Sequence, residues 1–410
     1  MLSNCRRSFA NKDECRSVLL GTRGFYCVYL LGCIYFLGCV ASYGQEREVP
    51  ARPTVQAMRN AIEQKEIAGA VTIVADRNRL LDFHATGLAN IEQKNEMKND
   101  SIFWIASMSK PVTGACVMMM VDEGKISLDD PIGKHLPAMS DLKTEDGEKH
   151  VVTIRQLMNH TSGMREIAAP KTYAAASLEE AATEYAKLPL VFEPGSKWQY
   201  SQTSINTAAR IVEVVSGISF DKFVEERLCK PLGMTDTGFY LTQEQNERLA
   251  TSYKRTDAGA LEPTPILLLN GASPTDRNRI PAANGGLFST AGDYTKFCQM
   301  LLNEGTVASK NILSSDAVKV FQTINTGDLV TAFTPGNGWG VGCCVVREPQ
   351  GITEMLSPGT FGHGGAFGTQ AWIDPVKNRI YVMMVQRSNF KNGDNSSVRE
   401  AFQTAAVSLR

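Results

Sequence analysis

Apolar and polar positions along the chain fall into a few clear periods. Residues 54–65 carry a helical pattern, and 68–75 (AGAVTIVA) form an apolar run of strand length. Asp76-Arg77-Asn78-Arg79 is a polar turn, and 80–84 resume as a second strand. From Ser107 the pattern turns helical through 112–123 and stops at Gly124. Residues 141–150 are polar enough for a solvated loop. Residues 203–216 are strongly amphipathic, with Ile205, Ala208, Val212 and Val215 on one stripe and Gly217 as the stop. Residues 219–230 repeat that design and close at Pro231 and Gly233. Residues 258–286, rich in Pro, Gly and Asn, read as an irregular return, and 293–303 as a helix ending at Gly305. The last hundred residues change character. Residues 339–346, 369–373 and 380–386 read as strands, with 374–378 as the turn between the last two. Ser397-x-x-Glu400 is a capping-box pattern for a final helix carrying Phe402 and Leu409.

Strands therefore open and close this pattern, with helices between them. The expected class is α+β: an antiparallel sheet built from both ends of the chain, flanked by helices, with a mainly helical region inserted at roughly 125–285. A cleft is expected where the two parts meet, with the Ser107 helix on its floor.

The N-terminal stretch differs in kind. Residues 25–44 carry no charge and follow a segment holding Arg6, Arg7, Lys12, Arg16 and Arg23 against Asp13 and Glu14. A basic stretch, an apolar core and then small residues read as an export signal cut after Gly44, which leaves 45–410 as the exported domain, periplasmic or secreted. An uncleaved anchor through residues 25–44 and a lipoprotein signal at Cys33 or Cys39 are the other two readings. Five of the ten cysteines lie in this leader. The remainder, Cys116, Cys229, Cys298, Cys343 and Cys344, are odd in number and scattered, which argues against a disulfide framework. Vicinal Cys343 and Cys344, in an apparent strand, are expected on opposite faces.

Composition sets outer limits. With 43% hydrophobic and 21% charged residues and a net charge of −1, the 410-residue chain is ordinary for a globular protein and carries no basic stripe for nucleic acid. Phosphate-loop, dinucleotide and H-E-x-x-H zinc fingerprints are missing. His84, His135 and His150 fit no metal-ligand spacing. No cofactor or metal is expected.

The candidate chemistry begins at Ser107-Met108-Ser109-Lys110. Residues three apart share a helix face, so a weak nucleophile stands beside an amine at the positive end of a helix dipole. Alone, Ser-x-x-Lys is a common coincidence. Tyr200-Ser201-Gln202 precedes the 203–216 helix, where a phenol can project into a cleft. Held near a lysine ammonium it would ionise more easily. Gly362-His363-Gly364-Gly365-Ala366 precedes the 369–373 strand, and its glycines allow close backbone approach.

Together these three segments resemble the serine β-lactamase and penicillin-binding superfamily, in the branch of class C β-lactamases, family VIII carboxylesterases and DD-peptidase-like hydrolases. Linking motifs extend the resemblance over roughly 53–390: FWIASMSKP at 103–111, LDDP at 128–131, LMNHTSG at 157–163, PLGM at 231–234 and NGGLFSTAGD at 284–293. The resemblance implies that Ser107 is acylated, that Lys110 and Tyr200 manage its proton with either as the acylation base, and that the backbone N–H groups of Ser107 and Ala366 form an oxyanion hole. It places Gln202, His363, Gly364 and Gly365 against substrate and makes His160 a structural residue of the helical region. Two departures bear on specificity. Gln202 stands where the motif usually ends in Asn. His363-Gly364-Gly365 replaces Lys-Thr-Gly, whose cation and hydroxyl hold an antibiotic's carboxylate. The imidazole, with an ordinary pKa of about 6.5, is mostly neutral at pH 7. The expected substrate is a small ester, amide or peptide, with esterase or D-amino-acid peptidase activity favoured over β-lactamase. The alternatives are a true class C-like β-lactamase and a catalytically silent protein that binds cell-wall peptides or penicillin. The α/β-hydrolase reading fails, because G-x-S-x-G is absent and the HGG segment follows the serine.

Overall fold

The computed structural model describes residues 51–167, 173–331 and 334–409. The expected leader, and with it any membrane contact through 25–44, lies outside the described residues. Among those described, no helix is long and apolar enough to cross a membrane.

Helix α1 (Pro53–Glu63) opens the fold. Strand β1 (Gly69–Ala75) turns into β2 (Leu80–Asn90), and Asp76 Oδ1 ties the turn by accepting from the N–H groups of Asn78 and Arg79. β3 (Asn95–Glu96) follows at the edge. The other strands come from the far end of the chain: β4 (Asn337–Trp339), β5 (Cys344–Val346), β6 (Phe361–Gly364), β7 (Gln370–Asp374) and β8 (Arg379–Met384). They form one eight-stranded antiparallel sheet in the order β4-β5-β6-β7-β8-β1-β2-β3.

β1 is buried along its whole length, and this explains its unbroken apolar run. Ala70 and Val74 face a core shared with Met58 of α1 and with Val398 and Phe402 of α5 (Ser397–Val407). Val71 and Ile73 face the larger core. That core holds α2 (Ser109–Asp122), α3 (Gln202–Ser216) and α4 (Ala291–Leu302), and α4 lies directly on β1 and β8. α2 is buried from Ser109 to Met120 and is apolar on nearly every side, as befits a central helix. Gly114 lets the β4–β5 hairpin approach it, since a Cβ there would stand 2.2 Å from the Val341 carbonyl oxygen. α3 packs across α2 and is capped by Ser201 at its start and by left-handed Gly217 at its end. Among the described residues, none between Glu96 and Asn337 joins the large sheet; that interval holds helices and three small two-stranded sheets.

Local expectations are corrected in four places. Residues 339–346 are a hairpin and not one strand: Gly340 N–H donates to Cys343 O (2.9 Å), and Gly342 adopts φ 75°. Cys343 faces the α2 core and Cys344 the opposite one, and both are buried free thiols. The glycine-rich 361–364 segment is a strand in its own right. The last helix is capped by Ser396, whose hydroxyl accepts from Arg399 N–H, and not by a box at Ser397. Finally, the 220–232 helix runs through Pro231, because the π-helical turn at Val224–Cys229 relieves the clash of the proline ring with the preceding turn.

Candidate active site

Ser107 lies in a 3₁₀ turn, Ala106–Met108, that runs into α2 at Ser109. The turn is anchored on both sides. Phe103–Trp104 pair with Phe288–Ser289, Ile105 N–H donates to Leu287 O (3.1 Å), and Ser109 Oγ donates back to Ala106 O (2.7 Å). Ala106 is held at φ 46°, a left-handed conformation that costs a non-glycine residue about 1–3 kcal/mol. This kink leaves Ser107 half-buried between buried neighbours. Met108, Ser109 and Lys110 around it are buried.

Lys110 reaches back over one turn, placing Nζ 3.1 Å from Ser107 Oγ. The amine also donates to Gln202 Oε1 (2.8 Å) and to the Asn284 carbonyl oxygen (2.7 Å). The Gln202 amide is oriented independently, because Asn284 Nδ2 donates to the same Oε1 (2.9 Å). Its longer side chain is thus spent on the lysine. Lys110 has no exposed surface, and burial pushes its pKa well below that of an ordinary lysine, against a weaker upward pull from Glu166. A neutral amine has two N–H donors and one lone pair. Two of its three neighbours can only accept, so once the amine is neutral its lone pair faces Ser107 Oγ, whose single hydrogen can go either to this lone pair or to the Tyr200 phenol.

Tyr200 completes the cluster. Lys110 Nζ sits 4.5 Å from the centre of its ring, and a hydrogen bond joins its phenol to Ser107. The phenol is 3.2 Å from His363 Nε2, while His363 Nδ1 is 2.6 Å from the Gly364 carbonyl oxygen. A carbonyl only accepts, so Nδ1 carries the hydrogen and Tyr200 donates to Nε2. The expectation of an easily ionised phenol is corrected: burial pushes the Tyr200 pKa well above 10, and the Ser107 hydrogen bond offsets this only in part. His363 is buried, and burial lowers its pKa to about 4 against the opposing pull of Asp394, so the imidazole is neutral at pH 7.

β6 overhangs its neighbour. β5 pairs only with Phe361 and Gly362, leaving His363 and Gly364 unpaired on that side. The 365–369 loop is pressed on the Ser107 turn, with Thr369 Oγ1 donating to Ile105 O (3.3 Å). A Cβ on Gly365 would lie 2.1 Å from Thr369 Oγ1 and 2.6 Å from Ile105 O, so only glycine fits. Among the described residues, no protein acceptor takes the backbone N–H of Ser107 or Ala366, and Ala366 is exposed. The fold thus gathers Ser107, Lys110, Tyr200, Gln202 and His363 through direct contacts, with Gly364–Ala366 alongside.

Sequence reasoning missed several members. His160 is a wall of the site as well as a helical-region residue. Its Nδ1 accepts from Ser201 N–H (3.1 Å), and its ring lies 4.6 Å from that of Tyr200 and 5.0 Å from that of Trp339. Burial drives its pKa well below 6.5. Glu166 accepts from Ser201 Oγ (2.6 Å) and Thr203 N–H (3.1 Å), placing a carboxylate at the positive end of α3. Asn284 clamps Gln202 and also donates to Tyr173 (3.1 Å). The signals for His160 and Asn284 were the NHTSG and NGG motifs themselves.

A nucleophile, a buried amine and a phenol in mutual reach suit acyl transfer, and comparison with known proteins agrees. The sequence model of the Beta-lactamase family matches residues 54–405. Protein Rv1367c of Mycobacterium tuberculosis is 32% identical over 80% of this chain and 88% of its own length. Esterase EstB of Burkholderia gladioli is 27% identical over 77% of this chain and 84% of its own. Among solved structures, EstCE1, described as a hydrolase with promiscuous acyltransferase activity, superposes with a TM-score of 0.76 at 25% identity, covering 87% of this chain and 98% of that one. The chain belongs to the beta-lactamase family of serine hydrolases.

Proposed function

We propose that this protein is a carboxylesterase-type hydrolase acting through an acyl-enzyme on Ser107. The observation that carries the reading is the Lys110 amine, held by two obligate acceptors with its third direction on Ser107 Oγ. In acylation Ser107 Oγ attacks the ester carbonyl carbon while its proton passes to the neutral amine of Lys110. The carbonyl oxygen becomes an oxyanion, held by the N–H groups of Ser107 and Ala366, each worth about 2.7–4 kcal/mol in comparable hydrolases. As the intermediate collapses, the C–O bond to the leaving group breaks. The departing oxygen takes its proton from Lys110, relayed through Tyr200, whose high pKa keeps it a donor. Water then attacks the acyl carbon and gives its proton to the same amine; the bond from the acyl carbon to Ser107 Oγ breaks, the amine returns the proton to Oγ, and the acid leaves.

Esters are favoured over β-lactams and D-alanyl peptides because the latter two present a carboxylate. The third motif meets it with a neutral, buried imidazole already engaged by Tyr200 and the Gly364 carbonyl. The test is parallel kinetics on p-nitrophenyl butyrate, nitrocefin and a D-Ala-D-Ala peptide. The ester is turned over with the highest kcat/KM. A tenfold advantage for nitrocefin would overturn the substrate assignment. Residues 1–44 act as a leader for export on this reading, supported by the uncharged 25–44 run behind a basic segment. N-terminal sequencing of the secreted protein tests it, with Gln45 expected as the first residue.

A further inference from the structure

Position 364 stands where a Lys-Thr-Gly motif has its hydroxyl. In this chain it is glycine, and its side-chain space is filled from elsewhere. A Cβ built on Gly364 would lie 1.9 Å from Asp394 Oδ1 and 2.5 Å from Gln370 Nε2. The carboxylate is fixed in that place by its neighbours. Buried Gln370 donates to Asp394 Oδ1 (3.2 Å) while its own Oε1 accepts from the Trp372 indole (2.9 Å). Asp394 N–H donates to Asn392 Oδ1 (2.9 Å), and Asp394 O accepts from Arg399 Nη1 (2.6 Å). Arg399 is 1% exposed and stacked 4.2 Å over Trp372, with Asp394 as the leading charge offsetting its burial. The negative charge is felt inside the cleft, at both His363 and Tyr200.

From this placement we infer that Asp394 is a specificity-determining residue, its carboxylate occupying the subsite beside Gly364 and excluding substrates that carry an anionic group on the leaving-group side. A β-lactam or a D-alanyl peptide bears its carboxylate on that side of the scissile bond. Each would set it against a fixed like charge, which disfavours its binding. The enzyme then selects esters with neutral alcohol or phenol leaving groups. The inference rests on the acyl-enzyme reading and deepens it.

The test compares phenyl butyrate with 3-carboxyphenyl butyrate, which differ by one carboxylate on the leaving group. In Asp394→Asn the ratio of kcat/KM for the anionic over the neutral ester rises at least about tenfold, because the fixed negative charge beside Gly364 is gone. Asp394→Ala gives the same direction, and thermal melting of both variants establishes that they fold. A ratio within twofold of wild type in both variants overturns the inference. Should the wild type cleave neither ester, the esterase reading fails on its own. Calorimetric binding of 3-carboxyphenyl butyrate then decides: at least tenfold tighter binding to Asp394→Asn sustains the inference, and equal binding overturns it.

Discussion

Gln202→Glu puts the neutral-amine argument under direct strain. Gln202 Oε1 is 2.8 Å from Lys110 Nζ, and the substitution replaces a carbonyl dipole with a full charge at almost unchanged volume. Two unit charges at that separation attract by about 6 kcal/mol at an effective dielectric constant near 20. Burying the new carboxylate offsets about half of this, leaving roughly 3 kcal/mol in favour of the ammonium. Below the wild-type lysine pKa that lowers the neutral-amine fraction, and with it kcat/KM, about a hundredfold, and the loss shrinks as pH rises above it. The sign is definite: a raised lysine pKa empties the lone pair below that pKa and restores it above. The acidic limb of the kcat/KM profile for p-nitrophenyl butyrate therefore moves towards alkaline pH, and activity recovers as pH rises. Gln202→Leu removes the same hydrogen bonds without adding charge, so it lowers kcat/KM with no alkaline shift. A Gln202→Glu profile superposing on wild type after scaling would refute the claim that neutral Lys110 accepts the Ser107 proton.

Three further outcomes follow. Tyr200→Phe keeps the ring packing against His160 but loses the proton relay, so kcat falls about 10²–10⁴-fold with little change in KM in steady-state kinetics. Gly365→Ala drives a methyl group into Thr369 Oγ1 and Ile105 O, costing about 1–3 kcal/mol in urea unfolding and abolishing most ester turnover. His363 is neutral in the fold down to about pH 4 but takes up its proton near 6.5 when unfolded, so the unfolded chain binds the extra proton between those values. Stability is then lost as pH falls through that window, by up to about 3 kcal/mol, and urea titrations of His363→Gln should show a shallower slope there.

What could be read from the chain depended on how local the interaction was. Ser107 and Lys110 are neighbours on one turn, so spacing alone placed them within reach. Tyr200 and His363 are joined only by the sheet and α3, and nothing in their own surroundings brings them together. Their motifs did so through resemblance. The ionisation of Tyr200 was misjudged because sequence supplies a neighbouring charge and not the burial that suppresses it. β6 was invisible because Phe361-Gly-His-Gly has weak strand propensity, yet Gly362 is required there: a Cβ would meet the Ala371 carbonyl at 2.0 Å. The 339–346 hairpin hid inside an apolar run because its turn is buried, with Val341 packed on Gly114. Asp394 left no signal at all. It sits in a polar loop, and only the missing side chain at position 364 gives its position meaning.

Intact-mass analysis after treatment with a fluorophosphonate addresses the nucleophile most directly. One adduct forms per chain, it maps to the peptide containing Ser107, and it is absent from Ser107→Ala. Labelling of Ser107→Ala at the wild-type rate, or an adduct on any other serine, would contradict the mechanism from its first step.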